Sequence, residues 1–166
     1  MNFLVLSVLI GLLPVSNIDQ WRTLFMQAKD DAKIAQFYSA ISSSAVQCTK
    51  ERAYLGVATA MNASCQSWPG EKLDFFNRGK DILESCVAES PSDGEIRFLR
   101  FSIQCETPGI LGYTSNIKDD ISIVVQAIQN GITQECPTYW NNAIYYMLGR
   151  SEVDESQKQI LRKYVN

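Results

Sequence analysis

Residues 73–104, LDFFNRGKDILESCVAESPSDGEIRFLRFSIQ, decide the fold. In the first half, Leu73, Phe76, Leu83 and Val87 fall on one helical stripe, with Phe75, Ile82 and Cys86 on a second. Ser92-Asp93-Gly94-Glu95 then has the Ser-x-x-Glu spacing of a capping box and opens another helix. In that helix Ile96, Leu99 and Ile103 form one apolar stripe, and Phe98, Phe101 and Cys105 form another. Two apolar stripes on one helix mean that most of it is buried. Helices of this length joined by short turns pack as antiparallel neighbours.

The same period extends in both directions. Upstream, TKERAYLGVATAMNASCQS begins at Thr49 and carries a row of small residues, Ala53, Gly56, Ala60 and Ala63, that lets a neighbouring helix approach closely. Tyr54, Val57 and Met61 make the bulkier stripe beside it. Trp68-Pro69-Gly70 breaks that helix, and Pro69 suits the first position of the next. Further upstream lie the stripes Trp21, Leu24, Phe25, Ala28 and Ile34, Phe37, Tyr38, Ile41. Downstream, Thr107-Pro108-Gly109 ends one helix, and Ile117, Ile121, Val124 and Ile128 mark another that stops at Asn130-Gly131. Pro137 opens a helix with Trp140, Ala143, Ile144 and Met147, and a short last helix carries Ile160, Leu161 and Tyr164. No segment shows sustained period-two alternation. The expected fold is all-α, about seven helices in stacked antiparallel hairpins.

Composition narrows function. The chain has 166 residues, enough for one domain with a real core, and a net charge of -3, which leaves no footprint for nucleic acid. It contains no histidine. Ser-His-Asp and Cys-His catalysis, His-ligated zinc and imidazole switching are therefore excluded. No Gly-rich phosphate loop appears, and no catalytic residue, metal ligand set or cofactor is expected. Asp30-Asp31 and Asp119-Asp120 sit in first helical turns, where carboxylates favour the helix dipole.

Residues 1–17, MNFLVLSVLIGLLPVSN, carry no charged side chain. The apolar run from Phe3 to Val15 is shorter than the ~20 residues that cross a bilayer and fits the core of a secretory signal. The n-region lacks Lys or Arg, and a buried N-terminal helix is the other reading. The expected organisation is a signal peptide over 1–17 and a single all-α domain over 18–166, exported to the periplasm or secreted, with no membrane span once the leader is removed.

The segment from Tyr54-Leu55-Gly56 through Cys86-Val87-Ala88-Glu89-Ser90-Pro91 reads like a tetratricopeptide unit, an aromatic, Leu-Gly and small residues followed by an Ala-x-x-Pro exit. Together with EIRFLRFSIQ and the following LGY, it resembles a family of short exported helical proteins from Bacteroidetes, over roughly residues 50–130. The resemblance implies a tetratricopeptide-like fold and an envelope location. It brings no activity, cofactor or catalytic residue to any position of this chain.

Five cysteines, Cys48, Cys65, Cys86, Cys105 and Cys136, cannot all pair within one chain. If the helices flanking Trp68 fold back there, position 50 lies opposite position 86, which makes Cys48 and Cys86 the pair best placed for a disulfide. Cys105 and Cys136 fall at opposite ends of one helix and are not expected to pair. The alternative is five small buried hydrophobes. Cys136 is the only cysteine at a helix start, where a thiol is most readily activated.

The third stripe of the helix that begins at Asp93 is polar: Arg97, Arg100 and Gln104 at i, i+3, i+7. Half-buried guanidinium groups need partners. Either they pair internally, for example with Glu51, Asp74 or Glu95, or they line a concave groove, edged by Tyr113, and hold a carboxylate or a peptide backbone. The expected function is a non-enzymatic module binding a protein or peptide partner. The alternative is a carrier of a small ligand with an acidic head group, its apolar pocket between the helices. An open groove favours the first and a closed cavity the second.

Overall fold

Eight α-helices build the described part, residues 17–165, of the computed structural model. They are α1 (Ile18–Gln27), α2 (Asp31–Ser42), α3 (Thr49–Met61), α4 (Pro69–Glu89), α5 (Gly94–Glu106), α6 (Ile117–Gln129), α7 (Pro137–Leu148) and α8 (Glu155–Leu161). Short 3-10 turns at Gly109–Leu111 and Ile132–Gln134 flank α6. The described residues contain no strand, so the protein is all-α. The leader, apart from Asn17, lies outside the described residues. Among those described, no helix is long and apolar enough to cross a membrane.

Successive helices from α1 to α6 pack on one another, α3 with α4 most extensively and α5 with α6 next. The odd-numbered helices also meet one another: α3 packs on α5, and α1 on both α3 and α7. An open stack of hairpins would hold its first and last members apart. Here Phe25 of α1 stands 6.4 Å, centroid to centroid, from Phe98 of α5, and Phe98 in turn packs edge-on to Tyr139 and Tyr146 of α7. The core accordingly has two lobes that share α5. Ile96, Leu99 and Ile103 belong to the lobe formed with α1–α4, and Phe98 and Phe101 to the lobe formed with α6–α8. The two apolar stripes of the α5 sequence face these two lobes.

The close approach promised by the small residues of α3 is made against Gly79 of α4. A Cβ at Gly79 would collide with the backbone nitrogen of Ala60 and the carbonyl oxygen of Gly56. Both obstacles are backbone, so no side chain can rotate away. Gly79→Ala is expected to destabilise the fold by about 1–3 kcal/mol through overpacking. A urea midpoint unchanged from wild type would show that the α3–α4 seam yields freely.

Helix starts depart from the sequence reading at one important place. Asp93, not Ser92, caps α5, accepting from the backbone N–H groups of Glu95 and Ile96 at 2.9 and 3.0 Å. Glu95 is thereby released from a capping role and turns inward. At the end of α6, Gly131 adopts φ 95°, the left-handed exit that Asn130-Gly131 announces.

Candidate functional site

The polar stripe of α5 ends on internal partners. Arg100 grips Asp120 of α6 with two hydrogen bonds, Nε to Oδ2 at 2.8 Å and Nη2 to Oδ1 at 2.7 Å, and donates a third to Glu84 of α4 at 2.7 Å. Arg97 reaches the same Asp120 oxygen at 2.7 Å and the Pro91 carbonyl at 2.7 Å. Tyr113 is buried against Phe76 and donates its hydroxyl to Glu84 at 2.6 Å. The partners are Asp120 and Glu84 rather than Glu51, Asp74 or Glu95. Arg97 and Arg100 are thus engaged by the chain's own carboxylates and do not line the groove described below, and Tyr113 anchors the loop after α5. Asp120 is not a solvated helix-start charge: it is fully buried and is the hub of the cluster.

Gln104, the last of the stripe, is also buried, and neither its amide nitrogen nor its oxygen finds a side-chain or backbone partner among the described residues. A buried amide left without hydrogen bonds is destabilising by about 1–3 kcal/mol. Gln104→Leu, close in volume, is expected to raise stability by about 1 kcal/mol. A fall in melting temperature would show that the amide contributes favourably where it lies.

A second buried cluster was not foreseen as a unit. Glu95 of α5 accepts from Arg22 of α1 through Nε at 2.8 Å and Nη2 at 2.6 Å, and from the Tyr54 hydroxyl of α3 at 2.6 Å. Lys50 stands 3.2 Å away, and the Arg22 guanidinium lies over the Tyr139 ring at 5.5 Å. Burial by itself would raise the Glu95 pKa. The hydrogen bond from Arg22, the charge of Lys50 and the Tyr54 hydroxyl outweigh it and hold the carboxyl below its ordinary range. The signal for this cluster is Arg22 itself, which shares a helix face with Ile18 and Phe25.

All five cysteines are free thiols. Arg52 and Thr49 both meet Glu89, so α3 and α4 pair about two residues away from the expected register. Cys86 then lies level with Arg52, and Cys48, the residue before α3, sits roughly one turn, ~6 Å, further along. Hence the expected Cys48–Cys86 bridge is not formed. Burial pushes the Cys86 thiol up, and pushes that of Cys105 up to about 12. Cys136 occupies the cap position of α7, before Pro137, but is not the only cysteine at a helix start, because Cys48 occupies the cap position of α3.

The concavity lies elsewhere, between the C-terminal ends of α1, α3 and α5, the start of α4 and the second half of α7. It is a groove of about 1110 Å³. Phe25, Met61, Phe76, Phe98 and Ile103 are among its apolar walls, and Leu73, Leu111 and Tyr145 line it while standing exposed. Its charged lining residues are Lys29, Lys72 and Glu106. Glu106 is compensated by Arg150 and the Tyr146 hydroxyl. Neither lysine ammonium makes an ion pair among the described residues; both residues engage only through their backbone N–H groups, Lys29 with Gln27 and Lys72 with Trp68. Sequence reasoning read the groove's apolar residues, Phe25, Met61, Leu73, Phe76, Phe98 and Ile103, as core, because a stripe marks an apolar face without saying whether a neighbouring helix covers it. Leu73, read as core, is 45% exposed on the groove wall.

Comparison of the chain with protein-family models, with curated proteins and with solved structures yields no match.

Proposed function

We propose that the protein is a non-catalytic docking module whose groove takes an apolar segment of a protein partner. One observation carries this reading: the chain has an open, predominantly apolar groove whose wall exposes Leu73, Leu111 and Tyr145 to solvent. Exposed apolar side chains gathered at a concave surface mark interaction sites. The volume also exceeds the ~300–1,000 Å³ of ordinary small-molecule pockets. The two buried charge clusters are fully engaged with the chain's own groups, and they serve to hold the helices that wall the groove. An exported location is part of the proposal, supported by the uncharged apolar run from Phe3 to Val15 and by the resemblance to exported helical proteins of Bacteroidetes.

Site-specific photo-crosslinking tests the reading. A photoreactive phenylalanine analogue at Leu73 or Tyr145 is expected to capture a protein partner in the cells that make this chain. The same group at Ser122, exposed on α6 away from the groove, is expected to capture none. Equal capture from all three positions, or none from the groove positions, overturns the proposal.

A further inference from the structure

We infer that the segment received by this groove is an acidic amphipathic helix, seated with its apolar face on the groove floor and its carboxylates toward Lys29 and Lys72. This rests on the docking reading and specifies the partner's chemistry. The argument is one of shape and charge together. The floor is apolar, formed by Phe25, Met61, Phe76, Phe98 and Ile103, and an apolar helix face laid in such a groove is a recurrent recognition mode.

The charged lining residues do not balance. Glu106 is neutralised within the chain by Arg150, whereas the ammonium groups of Lys29 and Lys72 stand exposed without a counter-charge. Both surround an apolar surface, where a partner's carboxylate would be partly shielded from water and would count for more than on an open face. A basic segment would meet these two charges as repulsion.

The rim decides between a helix and a small amphiphile. Trp68 and Ile110 do not line the groove but border residues that do, Pro69 and Leu111, and they are 71% and 94% exposed. A ligand sunk between the helices would leave both in water. A helix lying along the groove reaches past its lip and covers them. Enrichment of aromatic residues at interfaces fits Trp68 and Tyr145 in this place.

The test uses the full chain and three fluorescein-labelled helical peptides that share one Leu/Phe face. Their polar faces are built from Glu, Gln or Lys. Fluorescence anisotropy at low salt is expected to rank them Glu tighter than Gln tighter than Lys, with about tenfold between the extremes. The ranking is expected to collapse or reverse in the double variant Lys29→Glu, Lys72→Glu, both sites being exposed, with helix content checked by circular dichroism. Leu73→Asp is expected to weaken all three peptides. If the three bind equally and Leu73→Asp still weakens them, the docking reading stands and the acidic-helix inference falls. An unchanged ranking in the charge-reversed variant likewise overturns it. If none binds, or if dodecanoate binds while no peptide does, both readings fall.

Discussion

Asp120→Ala is expected to lower the free energy of unfolding by about 3–5 kcal/mol, a large part of the ~5–15 kcal/mol available to a domain. Asp120 is fully buried, and its two oxygens receive three hydrogen bonds from Arg97 and Arg100. Removing the carboxylate leaves Arg100, itself 3% exposed, with Glu84 as its remaining acidic partner. The loss is therefore mainly that two guanidinium groups, Arg97 and Arg100, are left with Glu84 as the one carboxylate between them, rather than a missing contact. Differential scanning calorimetry should show a melting temperature lower by roughly 6–20 °C, taking 2–4 °C per kcal/mol for a chain of this size. Adding Arg100→Met to Asp120→Ala should recover part of the loss, because the stranded guanidinium is removed with its partner. A double variant no more stable than the single would mean that Arg97 or Glu84, not Arg100, carries the penalty.

How much of this was legible beforehand follows from what periodicity can report. A stripe states which face of a helix is buried, so the helices, the two-sided burial of α5 and the close α3 surface could all be read. It does not state what lies opposite. Arg97 and Arg100 announced that they needed anions, but Asp120 looked like one of many acidic first-turn residues. Only the α5–α6 pairing brings it over the arginines. Glu95 was hidden by a competing local reading, since Ser92 and Glu95 have the spacing of a capping box. Asp93 wins because its carboxylate accepts from two N–H groups at once. The groove is the hardest case. Its apolar residues lie on the same stripes as the core, and a stripe does not say where a neighbouring helix stops short of covering it. The Cys48–Cys86 pairing failed for a related reason. A hairpin register depends on how Trp68-Pro69-Gly70 turns, and an error of two residues moves a cysteine out of reach.

Glu95→Ala should match the Asp120 effect, at about 3–5 kcal/mol, but with a different signature in pH. Glu95 is fully buried and joins α1, α3 and α5 through Arg22, Tyr54 and Lys50. Its carboxyl is held below the ordinary glutamate value of about 4.5 despite its burial. A carboxyl whose pKa is depressed by folding contributes stability that is complete above the unfolded value and is lost as pH falls through the folded one. The isosteric Glu95→Gln has no such titration. The gap between wild type and Glu95→Gln in urea is thus expected to be widest near pH 7, to start narrowing below about 4.5, and to keep narrowing toward pH 2. A gap that stays constant across that range would show that the ionised carboxylate is not what stabilises the cluster. The position of Glu95 gives the same variant a second readout. The cluster grips the N-terminal halves of α1, α3 and α5, and the groove lies between the C-terminal ends of the same three helices. At neutral pH, under conditions where it remains folded, Glu95→Gln should therefore weaken peptide binding in the groove although Glu95 touches no part of it. Wild-type affinity in a folded Glu95→Gln would show that the clamp and the groove are independent.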